Sequence, residues 1–423
     1  MNNYFRKVGF GLSYKETIPE DPLKWATDQF NSLPPLSWSE KLPSVEDQRE
    51  IFRQYITEKD KIQEKFGKDA MIYEKELNKL RHQKGEKFFQ AFELSIRHHN
   101  ALNNGAPAFE RMWHFWGNHF SLSDKDFISD WHYGPYMREA IRPSMDKTFE
   151  EMVVEVTTSW GMIHHLDNTD NIGPNSQEGR RENSDGDKRK VGLNENHGRE
   201  LLELHTVSPA ANYTQDDVIN MAKVLTGWAK KWSKKNSWAG PLVFQPELHE
   251  MGQKNILGKS YNTKENKITG NKQLFAVIKD LCNHKSCREF IAKKLCQHFI
   301  TDEPSQEMID PIIQAWVKSD GFLPEIHKAT MKVAFEYGNK HKKFLMPEPW
   351  LIQNAKMLNF KHYWGPDRYV FKPGKIPPKR ERNIEWILDD LGHPVFRPSQ
   401  PNGFIDNEEE WTSPELMIRR MVY

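Results

Sequence analysis

A mainly α fold is what this chain of 423 residues predicts, and three observations carry that expectation. Apolar residues recur at spacings of three and four through most of the sequence, the period of a helix face. Residues that cap and open helices stand at the starts of those stretches. Only the segment 240–261, "GPLVFQPELHEMGQKNILGKSY", reads as extended chain and turns. The expected architecture is one large multi-helix body with few extended segments, 1–340, and a helical C-terminal lobe, 341–423, packed on it as part of one continuous domain or as a semi-separate piece.

The elements follow in order. In "DPLKWATDQF" (21–30) Asp21 can cap a helix whose first turn holds Pro22, where a missing N–H costs nothing. From 45 to 98 the pattern is long, charged on its flanks and helical, and suggests two helices on the outside of the molecule. "GAPAFERMWHFWGNHFSLS" (105–123) is denser: Pro107 opens it, and Phe109, Met112, Trp113, Trp116 and Phe120 form a buried stripe. A helix over 136–165 follows, interrupted near "TSWG". Residues 173–190 contain no aliphatic or aromatic side chain and read as a mobile surface loop. "NENHGRELLELHTV" (194–207) predicts a helix. "NYTQDDVINMAKVLTGW" (212–228) predicts another, with Thr214 and Asp217 as a capping box. Later helices are expected at 274–283, 287–299, 308–317, 322–338, 347–358 and 384–393, and a last one is opened by a Thr412–Glu415 box.

Composition narrows function. With 37% hydrophobic and 28% charged residues and no long apolar run, no transmembrane segment is expected. The formal net charge of +1 gives no electrostatic ground for binding nucleic acid, and the basic stretches 230–236 and 372–382 lack the aromatic interleaving of a base-stacking surface. Three cysteines within fifteen residues, Cys282, Cys287 and Cys296, form no C-x-x-C pair and are expected reduced, at least two of them buried. The N-terminus has no continuous apolar stretch of the secretory kind, which points to the cytoplasm.

The polar clusters remain. On a regular helix Asn196, Glu200 and Glu203 fall within about 60° of one another, with Leu201 and Leu204 turned toward a core. Paired carboxylates can ligate a metal or share acid and base roles, and proximity should split their pKa values. They can equally accept hydrogen bonds and lock neighbouring helices. In either role Glu200 and Glu203 are expected to face the interior alongside Asn196, with His119 or His249 within hydrogen-bond or ligand reach of at least one carboxylate. Asp167, Asn168 and Asn171 in "HHLDNTDN" suit Asx-turns and caps, or a hard cation such as calcium, and a turn could bring them to Asn194 and Asn196. His119 ends an aromatic helix; His249 lies in a turn-rich segment and can reach across a pocket. Two functions compete. One is a hydrolase-like or metal-assisted enzyme with catalytic Glu200, Glu203, His119 and His249, the same four plus Asp167 being the candidate ligands of a divalent metal. The other is a non-enzymatic accessory protein that binds a partner protein or a cell-surface polymer.

The ordered motifs "RMWHFWGNHFS", "GPYMREAIRP", "LDNTDN", "NENHGRELLELHTV", "YTQDDVINMAKVLTGW" and "ELHEMGQKNILG" resemble the bacterial domain-of-unknown-function family numbered 1800, over nearly the whole chain. Its characteristic positions correspond here to His119, Asp167, Asn168, Asn171, Asn194, Glu195, Asn196, Arg199, Glu200, Glu203, Thr226, Gly227, Trp228, His249 and Gly258. The resemblance brings no activity with it. It implies export to the periplasm or beyond, and a gene neighbour resembling a sulfatase-like or alkaline-phosphatase-like secreted protein. The chain departs from the family in its missing export signal, in the charged insert 173–190 and around 338–346.

Overall fold

The computed structural model describes residues 2–184, 190–231, 233, 239–360 and 384–423. The basic stretch 372–382, most of 230–236 and residues 185–189 of the insert lie outside them. The described chain is mainly α, with two small antiparallel two-stranded sheets among those residues, Trp228–Lys230 with Leu242–Phe244 and Lys254–Ile256 with Lys259–Tyr261. No described helix is long and apolar enough to cross a membrane.

The chain divides into two compact units. Unit 1 comprises Met1–Arg142, Leu295–Pro311 and His327–Tyr423; unit 2 comprises Pro143–Lys294 and Ile312–Ile326. The segment 341–423, read from sequence as a terminal lobe, falls in unit 1 with 1–142.

In unit 1 the expected pair of outer helices is three: Val45–Phe66, Ala70–Lys84 and Glu86–Asn103. Gly85 explains the extra break, because its φ of 89° is left-handed backbone that ends one helix and starts the next. The third of these helices is no surface element: Phe92, Ile96, Arg97, His98 and Asn100 are all buried. Pro107–His119 forms as expected, and Trp113 and Trp116 are fully buried. Asp21 caps Pro22–Asp28 by accepting from the Lys24 N–H. The last helix, Pro414–Val422, is capped by Ser413, which accepts from Leu416, and not by Thr412. Pro at the following position fixes Ser413 in extended backbone, which suits a cap.

The expected helix 136–165 is a series: Phe127–Tyr136, a π turn Met137–Ile141, Arg142–Ser144, Phe149–Thr157 and Trp160–His165. The π turn closes with the Arg142 N–H on the Met137 carbonyl, five residues back. Gly117 packs so close to Met137 that a β-carbon there would come within 2.2 Å of its Cε.

In unit 2 the sequence Asn194–Val207 also departs from a regular helix. Asn196–Glu200 is α, then Leu201–His205 is a π turn ended by Thr206, whose hydroxyl donates to the Leu201 carbonyl at 2.6 Å. Bonding to the fifth residue winds the chain less per residue, so positions after Leu201 lag an α-helical wheel. Leu201, Leu202 and His205 are buried while Leu204 is half-buried. Asn196 is exposed and Glu200 and Glu203 half-buried, which corrects the expectation of an interior Asn196–Glu200–Glu203 face. The inward face is His197–Gly198, with Gly198 against the backbone of Ala222 in the helix Gln215–Leu225.

Residues 173–184 of the insert also differ from the expected mobile loop. Its residues Gln177–Ser184 form a helix, and the turn before it is docked: the Gly173 N–H donates to the Leu248 carbonyl, and Asn175 donates its N–H and carboxamide to Glu250 at 2.9 and 2.7 Å. The polar composition supplies anchors through hydrogen bonds where apolar ones are missing.

Candidate functional site

The candidate site lies in unit 1 and is built by residues distant in sequence. On Pro107–His119 the residues Arg111, His114 and Asn118 stand at i, i+3 and i+7, one helix face, with Gly117 beside them. Glu86–Asn103 supplies Arg97 and His98, and Lys285–Phe299 supplies His298 near its end. Pro347–Met357 places Glu348 in its first turn, where the helix dipole favours a carboxylate. His393 follows Gly392, whose φ of 74° turns the chain. Arg97, Arg111, His114, His298, Glu348 and His393 all line a cavity with an empty volume of about 440 Å³. It is narrow: only water-sized groups find room within it.

Glu348 is 2% exposed and is the anchor of the cavity. Arg97 grips it bidentately, Nε to Oε1 at 2.7 Å and Nη2 to Oε2 at 2.9 Å, and His98 Nε2 stands 3.1 Å from Oε1. Burial alone would raise the Glu348 pKa. Arg97, His114 and the hydrogen bonds from His98 and Arg97 outweigh it and hold the carboxyl well below its usual range. The Glu348 N–H donates to His393 Nδ1 at 3.2 Å, so His393 carries its proton on Nε2.

Beside this clamp stand polar atoms without partners. Arg97 Nη1, both ring nitrogens of His114 and Nε2 of His298 are buried and make no hydrogen bond. His114 Nδ1 is 3.7 Å from Glu348 Oε2, but burial and the Arg97 charge push its pKa well down, so the ring is neutral and the contact is no ion pair at neutral pH. His298 Nδ1 lies 2.5 Å from Asp406 Oδ2. That carboxylate also takes Lys343 Nζ at 2.9 Å on its other oxygen, and Lys343 and His298 overcome its burial to depress its pKa. Burial lowers the His298 pKa against the opposing pull of Asp406. The result is a neutral imidazole, on a residue that lines the cavity, whose Nδ1–H is fixed by a carboxylate and whose Nε2 is buried without a partner.

Unit 2 holds the other polar motifs, and there the asparagines, Thr226 and His249 are hydrogen-bonded, whereas both ring nitrogens of the buried His197 bond to nothing. The Asn168 carboxamide donates to the carbonyls of Leu225 and Trp228 at 3.0 and 2.7 Å and accepts from Asn171 at 3.0 Å. Asn171 also donates to Ala222 at 2.8 Å, and its oxygen accepts from the Asn194 N–H at 3.0 Å. Asn194 in turn accepts from the Asn196 N–H at 3.0 Å. The expected meeting of these asparagines is present, and its chemistry is capping: it ties off the end of Gln215–Leu225, which Thr214 and Asp217 open as a capping box. Asp167 sits at φ 57° at the head of this turn.

His249 is equally enclosed. Its Nδ1 lies 2.8 Å from the Thr226 carbonyl, and its Nε2 lies 3.2 Å from Gln273 Oε1 and 3.4 Å from Lys254 Nζ. Thr226 Oγ1 donates to the Lys223 carbonyl and accepts from the Glu250 N–H. No hydrogen bond joins His249 to Glu200 or Glu203. Glu203 accepts from Tyr213 Oη at 2.9 Å. The Glu200 pKa is raised, by burial first and then by Glu203, the direction expected of neighbouring carboxylates. His119, in unit 1, is buried among the rings of Phe115, Trp116 and Phe120. Among the described residues no group of three or more His, Cys, Asp or Glu side chains is placed to hold a metal ion. Cys282, Cys287 and Cys296 are all free and buried, as expected.

Sequence reasoning missed Arg97, His114, His298, Glu348, His393 and Asp406. One local signal was available, the polar stripe Arg111–His114–Asn118 on an otherwise apolar helix.

These features define a mainly helical protein with a polar cavity lined by arginine and histidine in one unit. The chain belongs to the family described as protein of unknown function (DUF1800), whose profile matches residues 3–423. No curated protein and no solved structure matches it.

Proposed function

We propose that unit 1 is a hydrolase-like enzyme in which His298 activates a water molecule in the cavity. The observation that carries this reading is the pairing of Asp406 with His298 Nδ1 at 2.5 Å, while Nε2 of this cavity-lining residue is buried without a partner. A carboxylate that fixes the tautomer of a neutral imidazole leaves its other nitrogen as a general base. In the reaction His298 Nε2 takes a proton from water as the oxygen bonds to the electrophilic centre. It then returns that proton to the departing group. Arg97 Nη1 and one N–H of His114 are donors for the negative charge that develops on the substrate. Glu348 holds Arg97 in place and keeps the two charges balanced. The narrow cavity suits a bound water and the tip of a substrate.

The test is turnover of activated p-nitrophenyl derivatives: acetate, phosphate, sulfate and glucoside. The protein should hydrolyse at least one, and His298→Ala should lower kcat/KM by about 10²–10⁴-fold, the usual share of a general base. Asp406 is a positioning residue, so Asp406→Asn should lower the rate and also displace the acid limb of the pH–rate profile. Hydrolysis of none of the four, or rates indifferent to His298, would reject the reading.

A further inference from the structure

A second concave site opens in unit 1, with an empty volume of about 780 Å³, and Arg6, Lys7, His341, Lys342, Lys343 and Glu408 are among its lining residues. Four of these, Arg6, Lys7, Lys342 and Lys343, are strongly basic side chains and one is acidic. Their charge is not balanced internally. Lys343 is neutralised by Asp302 at 2.6 Å and Asp406 at 2.9 Å. Lys7, only 4% exposed, has no carboxylate partner among the described residues: its ammonium donates to the carbonyls of Ile300 and His341, each at 2.6 Å. Two of its three N–H donors are thereby used and one is left. Burial first, and then the neighbouring Arg111 and Lys343 charges, lower the Lys7 pKa to about 8.

Arg6 is exposed, and its Nη2 and Nε lie 2.9 and 3.3 Å from the Gln353 carboxamide oxygen, which leaves Nη1 available. Lys342 is exposed as well. The cleft has the size of a small-molecule site, not of a groove for a polymer. Three cations that lack a carboxylate, on concave walls, make a place where a tetrahedral oxyanion gains charge-assisted hydrogen bonds.

We propose that this cleft binds a small multivalent oxyanion, phosphate or sulfate, either free or as the ester terminus of a small molecule, between Arg6, Lys7 and Lys342. The site is independent of the hydrolytic reading of the His298 cavity.

Isothermal titration of the whole chain at constant ionic strength tests it, with inorganic phosphate, inorganic sulfate and glycerol phosphate as probes and chloride as the control. At least one oxyanion should bind saturably at one site. The exposed pair Arg6→Gln/Lys342→Gln, chosen because neither side chain is buried, should weaken it at least tenfold without changing the unfolding midpoint in chloride. Tighter binding of glycerol phosphate than of phosphate assigns the ester as ligand; equal or weaker binding assigns the free ion. Absence of saturable heat with all three probes overturns the proposal, as does affinity unchanged in the double variant.

Discussion

The asparagine motif and His249 of unit 2 and the cavity residues of unit 1 are treated in opposite ways, while His197 of unit 2, with both ring nitrogens buried and unbonded, sides with the cavity. In unit 2, Asn168, Asn171, Thr226 and His249 face backbone carbonyls and amides, and each hydrogen bond closes a helix end or a turn. In unit 1, Arg97, His114 and His298 surround a cavity with nitrogens that bond to nothing. An unsatisfied buried polar group costs about 1–3 kcal/mol, so a cluster of them is a burden that folding alone would not select. Within the asparagine motif the polar residues serve architecture, whereas the unbonded groups of the cavity are dispersed along the chain.

Acid should produce the largest effect and act on both units. Burial lowers the pKa of His197 in unit 2 and His327 in unit 1 to about 3, and that of His393 in unit 1 to about 4. Unfolded, each titrates near 6.5, so the unfolded chain binds more protons below that pH. Stability is therefore complete above about pH 6.5 and falls by about 1.4 kcal/mol per pH unit for each histidine as pH drops toward the folded values. Glu348 and Asp406, with depressed pKa values, add to the loss at still lower pH, below the ordinary carboxylate range. Urea midpoints at pH 7.5, 6 and 5 should decline steadily. A flat profile would mean that these rings are hydrated.

Next in size is Glu348→Ala. Removing the carboxylate leaves the Arg97 charge buried without its partner, at a cost of about 3–5 kcal/mol. Urea unfolding measures it, and a cost near zero would show that water replaces the carboxylate. A smaller loss, about 1–3 kcal/mol, is expected for Asn168→Ala, which strands the carbonyls of Leu225 and Trp228. Its hydrolytic activity should be retained, because the residue belongs to the architecture of unit 2. Loss of activity with stability intact would reverse the comparison.

Much of this fold was legible in the sequence. Pro22, Pro107 and the Thr214–Asp217 box opened their helices as expected because caps act within four residues of sequence. The asparagine cluster was legible for the same reason, since turn chemistry is local. The π turn Leu201–His205 was not, because an α-helical wheel places Leu204 inward where the wider turn buries Leu202 and His205. The first part of the insert, 173–184, was misjudged because its anchors, Gly173 and Asn175, act through hydrogen bonds to residues 248–250 that apolar patterning does not register. The cavity was the least legible. Arg97 and Glu348 are 251 positions apart, and nothing local to either announces the other. On Pro107–His119 the residue singled out from sequence was His119, whereas the face on the cavity is Arg111–His114–Asn118.

The same nearly isosteric change at one histidine of each unit tests the central contrast most directly. His114→Phe removes two ring nitrogens that bond to nothing, and His249→Phe removes two that lie against Thr226, Gln273 and Lys254. The unfolding free energies of the two variants are compared with that of the parent at pH 7.5. His114→Phe should leave stability unchanged or raise it, as replacement of a residue retained for function does. His249→Phe should lower stability by about 1–3 kcal/mol. Destabilisation by His114→Phe equal to or greater than that by His249→Phe would contradict the contrast, for the cavity histidine would then be part of the framework.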